Sequence, residues 1–220
     1  MDADLLLRIL IQVPALVLAV SFHESAHAWS ADRLGDPTGR MMGRVTMNPL
    51  RHIDPIGSIL VPLVLVMTAG FAFGWAKPVP VNHMNLGHVK RDAALVAAAG
   101  PASNLLFALG AAMMVRVWMP AFPHATFLLE PLFTLCAGLI WVNIALAVFN
   151  MFPLPPLDGS WVAASLMPDE WAERYLAIGQ YGSFILILLI ADPMRWGIFH
   201  KTLGPITTHL VTWSFRLAGL

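Results

Sequence analysis

Long uncharged stretches alternate along this chain with short segments that carry most of its charged residues. The uncharged stretches are residues 9–22, 55–76, 93–115, 131–157 and 175–191, with a weaker one at 202–215. A transmembrane helix needs about 20 mostly apolar residues, a length that 93–115 and 131–151 reach directly. Extension of the first stretch gives a helix over roughly 4–32 that contains Pro14. The pattern predicts an all-α polytopic membrane protein with five to six membrane segments.

Cationic residues are concentrated in two connecting segments, 33–55 and 74–92. Because cationic loops stay in the cytoplasm, both segments are predicted to face inward, and the weakly charged 116–130 outward. The apolar residues 56–73 would then begin and end on the same side of the membrane. They either dip into the bilayer and return, or they span it against the charge rule.

The second cationic segment contains a proline-rich stretch that is poorly suited to a helix. Pro78 and Pro80 lack the backbone N–H that a helix requires, and proline in a sheet is confined to edge strands. The sequence therefore predicts a short edge strand or hairpin insertion near 74–84. The alternative is a surface loop that precedes the next helix.

Composition narrows the class of protein. The 220 residues are 58% hydrophobic and 12% charged, whereas a soluble domain is about one quarter charged. The net charge is zero, which gives no indication of nucleic-acid binding, and the single cysteine, Cys136, excludes a disulfide framework or a multi-cysteine zinc site. No repeat or hydrophilic module is visible, so residues 1–220 are predicted to form one membrane domain. Its catalytic core covers about 4–160, and C-terminal helices cover about 161–220.

Residues 23–27 read HESAH and match the pattern H-E-x-x-H. Positions i and i+4 of a helix share a face, so His23 and His27 can present two imidazole nitrogens to one metal ion. Glu24 lies about 100° around the helix, where it can take a proton from a metal-activated water. Ionisable residues within membrane segments are usually functional, and no Lys or Arg between Arg8 and Arg33 pairs with these. The motif predicts a zinc site; the alternative is a structural or proton-relay cluster.

A catalytic zinc site uses three protein ligands and a water, so the motif requires a third ligand elsewhere in the chain. Asp158 is the first charged residue after Glu130, and it follows three prolines that end the preceding helix. It is predicted to lie on a non-helical segment at membrane depth, from which it can face the two histidines. The alternative is an aspartate that caps a helix over 160–167.

Other polar residues are predicted to have no catalytic role. Four residues of the inner loops are expected to be solvated: His52, Asp54, His83 and His88. Asn104 is expected to support the structure of the site by bonding across helices, and Asn143 to serve packing.

Four motifs occur in a characteristic order. They are HESAH at 23–27, FGWAKPVPVN at 73–82, AGPASN at 99–104 and N-x-x-P-x-x-x-L-D-G at 150–159. Together they resemble the site-2 protease family of intramembrane zinc metalloproteases. The resemblance covers about 7–160 and is to the short bacterial or archaeal type, since the chain lacks the PDZ or CBS module that many members carry.

The resemblance implies a role for each matching residue. His23, His27 and Asp158 would be the ligands of Zn²⁺, and Glu24 would be the general base. The asparagine of the family motif falls on Asn150, whose amide N–H₂ could stabilise the oxyanion.

The expected function is hydrolysis of a peptide bond within a locally unwound transmembrane segment of a membrane protein. Members of the family release membrane-tethered regulators or clear signal-peptide remnants, and either role is compatible with this sequence. The expected partners are such a substrate and the lipid bilayer, and the expected location is the cell inner or plasma membrane, with the active site nearer the cytoplasmic side. The alternative from another class is a metal or proton carrier that uses the same His/Glu/Asp cluster.

Overall fold

The computed structural model describes residues 3–70, 73–121, 126–191 and 197–219. Its helices are α1 (Ala3–Arg33), α2 (Thr38–Met41), α3 (Val61–Ala69), α4 (Val89–Ala121), α5 (Thr126–Asn150), α6 (Asp158–Ser165), α7 (Asp169–Ala177), α8 (Gly179–Ala191) and α9 (Ile198–Ala218). A π-helical turn at Pro55–Leu60 leads into α3, and 3₁₀ turns lie at Pro49–Arg51 and His83–Asn85. No strand occurs within these ranges, so the all-α class is confirmed for them.

Three of the described helices are long and apolar enough to cross a membrane: Leu5–Arg33, Val89–Trp118 and Pro131–Asn150. They correspond to the three longest predicted segments, including the first helix with its internal Pro14. A shorter apolar helix covers Pro55–Thr68. The count of five to six membrane segments stays a prediction.

The connection between α4 and α5 is shorter than the predicted loop over 116–130. Helix α4 continues to Ala121 and α5 begins at Thr126. The middle of the predicted loop, residues 122–125, lies outside the described part of the chain.

Helices α1, α4 and α5 pack against one another around a core that is rich in alanine. Its fully buried members include Ala15, Leu16 and Ala19 of α1, Ala108 and Ala112 of α4, and Ile140 and Ile144 of α5. Small residues at membrane helix interfaces allow backbones to approach closely. Helix α9 packs on α4 and α5.

The predicted hairpin near 74–84 is not confirmed. Residues 73–82, here called the extended segment, run without a strand partner in the described structure. Their amides instead bond to neighbouring loops: the Trp75 N–H donates to the Gly57 carbonyl at 3.0 Å, and the Lys77 N–H to the His52 carbonyl at 2.8 Å. The Val79 N–H continues this alternation by donating to Glu24 Oε2, whereas Pro78 and Pro80 have no N–H to donate on the opposite edge.

The expectation that His52 is solvated is wrong. Its side chain is fully buried, with Nε2 at 2.9 Å from the Thr46 carbonyl oxygen and 3.2 Å from Ser25 Oγ. The loop after α2 folds back onto α1, and this return path is set by long-range contacts that a local pattern does not reveal.

Helix α5 ends at Asn150, as the three following prolines predict. Asp158 was expected to lie on a non-helical segment, but it is the first residue of α6. The Oδ atoms of Asp158 nevertheless project toward α1, because α6 packs against α4 beside it.

Candidate metal centre

Three side chains from two helices converge in the C-terminal part of α1. His23 and His27 come from successive turns of α1, and Asp158 comes from the first position of α6. The two Nε2 atoms are 3.0 Å apart, His23 Nε2 is 3.0 Å from Asp158 Oδ2, and His27 Nε2 is 3.4 Å from Asp158 Oδ1. The three residues form a group whose ligand atoms lie within 4.8 Å of one another.

The hydrogen bonds of the two rings fix which nitrogens face the cluster. His27 Nδ1 lies 2.7 Å from the Val96 carbonyl oxygen, which can only accept, so this nitrogen carries the proton. His23 Nδ1 lies 2.7 Å from Asn104 Oδ1. Asn104 Nδ2 donates to the Ala19 carbonyl and to Asn143 Oδ1, so its oxygen is the acceptor for His23. Both rings therefore direct Nε2 toward Asp158, as metal-binding histidines do.

The donor set fits a zinc ion. Acceptor atoms that converge in this way repel one another unless a proton or metal ion lies among them, and Asp158 Oδ2 is buried without a hydrogen-bond donor. Four-coordinate zinc with ligands at about 2.0–2.1 Å requires ligand atoms about 3.3 Å apart. The observed separations of 3.0 to 3.4 Å agree with that requirement.

Two glycines make the convergence sterically feasible. A Cβ at Gly100 would lie 2.5 Å from His27 Nε2 and 2.6 Å from His23 Cε1, so α4 can approach the two rings only because residue 100 has no side chain. A Cβ at Gly159 would lie 2.2 Å from the Met151 carbonyl oxygen. Gly159 therefore allows α6 to begin directly against the end of α5.

Glu24 lies beside this cluster without belonging to it. Its Oε2 accepts a hydrogen bond of 2.8 Å from the backbone N–H of Val79 in the extended segment. The carboxylate is thus oriented by backbone from another part of the chain.

A cavity of about 430 Å³ opens onto these groups. The predicted site residues all line it: His23, Glu24, His27, Asn150 and Asp158. The remaining wall is mainly apolar and includes Val79, Val81, Ala93, Val96, Ala97 and Trp161. Such a combination of apolar walls with a few convergent polar groups is typical of a substrate site.

Asn150 is placed at the C-terminal end of α5, where it reaches the cavity. Its Nδ2 donates one hydrogen bond of 3.1 Å to the Leu146 carbonyl. A primary amide has two N–H donors, so this bond uses only one of them.

Several residues that shape the site were not predicted from the sequence. Asn143 is fully buried and bonded to Asn104, so it is part of a polar chain that ends at His23 rather than simple packing. His83 is half-buried, and its ring lies 4.2 Å from that of Trp161 at the cavity wall. Burial lowers the pKa of His83 below its usual value, which favours the neutral ring. One sequence signal did point to this part of the site: Gly100 and Asn104 are four residues apart on α4, so both face α1.

Comparison with known proteins identifies the family of this chain. Residues 125–190 match the profile described as Peptidase family M50. The chain is 36% identical over 189 residues to "Putative zinc metalloprotease YwhC" of Bacillus subtilis, a match that covers 83% of this chain and 80% of that protein. It is 28% identical over 208 residues to "Putative zinc metalloprotease Rip2" of Mycolicibacterium smegmatis, covering 93% and 72% of the two chains. No solved structure matches the chain.

The fold and the cavity define a helical membrane metallopeptidase. The chain belongs to peptidase family M50, the site-2 protease family of zinc metalloproteases, and the family resemblance found in the sequence is confirmed.

Proposed function

We propose that this protein is an intramembrane protease that hydrolyses a peptide bond within a locally unwound transmembrane segment of a membrane protein. In this proposal His23, His27 and Asp158 hold the zinc ion and Glu24 is the general base. The observation that carries it is the convergence of two Nε2 atoms and a carboxylate on one cavity, within 3.0 to 3.4 Å of each other.

Bound zinc would act as a Lewis acid, which polarises the substrate carbonyl and lowers the pKa of a metal-bound water toward about 7. Glu24 then accepts the proton of the attacking water and delivers it to the leaving amine. Its position is suited to both transfers because it lines the cavity next to the ligands.

Asn150 is the proposed donor to the oxyanion. It lies on the same cavity as Glu24, and its second amide N–H is not used by the bond to the Leu146 carbonyl. A pre-oriented donor of this kind stabilises charge that develops only in the transition state.

The substrate must present an extended backbone, since a helical peptide bond is shielded by its own hydrogen bonds. The extended segment supports this step, because its residues Pro78, Val79 and Val81 line the cavity and are not part of a helix. We propose that the unwound substrate lies along it by β-augmentation.

The proposed topology places the active site nearer the cytoplasm. The metal cluster lies in the last third of α1, close to the cationic residues 33–55 and 74–92 that are predicted to stay inside. The helix Pro55–Thr68 is then a re-entrant segment, and residues 1–220 act as a single membrane domain.

The decisive experiment is Glu24→Gln in purified, zinc-loaded protein. The reporter is an alanine–leucine transmembrane helix interrupted by a central Asn-Pro-Gly, with a different tag at each end. We expect the variant to retain zinc and to lose cleavage, whereas Asp32→Asn on the same helix retains both.

Cleavage of the reporter by Glu24→Gln at the wild-type rate would refute the assignment of the base. Metal flux into vesicles with no hydrolysis by the wild type would favour a carrier instead. Membrane proteomes with and without an active Glu24 would then distinguish tethered regulators from signal-peptide remnants as natural substrates, through the fragments that accumulate.

A further inference from the structure

We propose that two buried charged residues, Asp36 and Arg44, are positioning residues that hold the extended segment in register for substrate. This inference rests on the proposed function, because it assigns to the extended segment the binding of the unwound peptide. Neither residue lines the cavity, and neither is expected to affect zinc binding.

Asp36 fixes the C-terminal end of the extended segment. Its side chain is fully buried, and Oδ2 accepts a 2.7 Å hydrogen bond from the backbone N–H of Asn82. Oδ1 accepts from Asn85 Nδ2 at 2.9 Å and from the N–H and Oγ1 of Thr38. The carboxylate therefore joins the loop after α1 to the chain that follows the extended segment.

Asp36 is ionised in this setting. Burial raises its pKa, but the hydrogen bonds from Thr38, Asn85 and Asn82 lower it more, and the pKa lies below its usual value. A neutral amide of the same shape cannot replace it, because an Asn side chain accepts through one oxygen only.

Arg44 fixes the other end. Its side chain is only 5% exposed, and Nη1 donates to the Arg51 carbonyl at 2.6 Å and to the Lys77 carbonyl at 3.3 Å. The Lys77 N–H in turn donates to the His52 carbonyl. Both backbone groups of Lys77 are thus held by the loop over residues 36–52.

These contacts indicate a function beyond folding of the loop. Charged residues are almost never fully buried unless they are paired, yet among the described residues neither Asp36 nor Arg44 forms an ion pair. Each charged group instead makes one hydrogen bond to the backbone of residues 77–82: Asp36 accepts from the Asn82 N–H, and Arg44 donates to the Lys77 carbonyl. Between them Val79 bonds to Glu24, and Gly39 of the loop lies close enough that a Cβ there would be 3.3 Å from Val79 Cγ1.

The zinc ligands depend on different supports. The Nδ1 atom of His23 bonds to Asn104, and that of His27 bonds to the Val96 carbonyl. Both partners lie on α4 and not on the loop over 36–52. A shift of the extended segment therefore alters substrate binding and, through the Val79 N–H, the orientation of Glu24, while the ligand set stays in place.

The test measures reporter cleavage in proteoliposomes as a function of the substrate mole fraction, together with bound zinc. For Asp36→Asn we expect KM to rise about ten- to a hundredfold, which corresponds to the loss of one hydrogen bond to a charged group, with wild-type zinc content. Arg44→Gln should behave likewise, and Arg44→Lys should recover most of the loss, because one ammonium can replace the single Nη1 that makes both bonds.

Arg40→Gln is the matched control. It breaks the ion pair that the exposed Arg40 forms with Asp32 in the same region, with 3.0 Å between Arg40 Nε and Asp32 Oδ1, and should leave KM unchanged. If Asp36→Asn does not accumulate as a folded protein, Asn85→Ala removes one donor to the same carboxylate from an exposed position and should raise KM in the same direction.

Three outcomes would overturn the inference while leaving the proposed function intact: an unchanged KM in folded Asp36→Asn and Arg44→Gln, a fall in kcat alone, or a loss of zinc in parallel with activity. By contrast, failure of the zinc-loaded wild type to cut the reporter would count against the proposed function itself.

Discussion

The two sides of the cavity are built in different ways. On the helical side, α1, α4 and α6 bring together two histidines, a glycine and an aspartate through the regular spacing of helices. On the other side, Glu24 and Asp36 each accept one hydrogen bond from a backbone N–H of the extended segment, and Arg44 donates one to a backbone carbonyl of the segment. The comparison suggests a division of roles: the helical side sets the metal geometry, and the loop side sets how a peptide lies over it.

The largest effect is expected when the helical side loses a ligand. Asp158→Ala removes the carboxylate that faces both Nε2 atoms, so zinc should be lost and cleavage should fall to background. Metal analysis after dialysis, paired with the reporter assay, checks this. Asp169→Ala is a suitable control, because Asp169 is exposed and pairs with Lys90 away from the cavity. Full zinc retention in Asp158→Ala would contradict the ligand assignment.

Gly100→Ala should be nearly as damaging, although it adds only a methyl group. The new Cβ would overlap both imidazole rings, so one ring must move or α4 must retreat. We expect zinc affinity and activity to fall by about two orders of magnitude, which is the cost of a 1 Å displacement in a catalytic site.

Gly110→Ala on the same helix provides the comparison for that variant. A Cβ at residue 110 meets no atom within 4 Å, and alanine favours a helix over glycine by about 1 kcal/mol. This control should keep activity and gain thermal stability. Equal activity in the two variants would show that α4 is not held against the rings.

A smaller loss of zinc affinity is expected when a histidine ligand is kept but the residue that hydrogen-bonds to its ring is removed. Asn104→Ala removes the acceptor of His23 Nδ1, and a change of this type lowers metal affinity or activity about 10- to 100-fold. Competition with a zinc chelator measures it. Asn143→Ala, one bond further from the ring, should cost less, and a larger effect at Asn143 would contradict the order of the chain.

The smallest effect is expected on thermal stability, from the ionised Asp36 of the loop side, and it should depend on pH. The folded-state pKa of Asp36 lies below its unfolded value of about 3.9, so its contribution to stability is complete at neutral pH and is lost as pH falls below about 4. The Tm of the wild type should therefore drop more between pH 6 and pH 3.5 than that of Asp36→Asn. Parallel Tm curves would show that Asp36 is not held as an ion.

The same division explains how much could be predicted from the sequence. Helices α1, α4 and α5 were predicted to within six residues at each end, because apolar length and the prolines near 153 define them. The structure also brings HESAH and Asp158 together, which was expected because two histidines of a catalytic zinc site need a third ligand. The helices depend on local periodicity, and the ligand set on residue chemistry, both of which a single sequence contains.

The loop side could not be predicted in this way. His52 bonds to Ser25 of α1, which is 27 positions away in the chain, and Val79 bonds to Glu24 of α1, which is 55 positions away. The expected hairpin failed for the same reason, since the proline pattern identifies extended backbone but not whether a partner strand exists. Asn143 was assigned to packing because nothing local distinguishes a bonded buried amide from a space-filling one.

The bond from the Val79 N–H to Glu24 Oε2 has a consequence for proton movement. With one carboxylate oxygen occupied by backbone, only Oε1 retains its full capacity to receive and return a proton. In the proposed mechanism, pick-up of the proton from water and its delivery to the amine then use the same atom, without rotation of the carboxyl group.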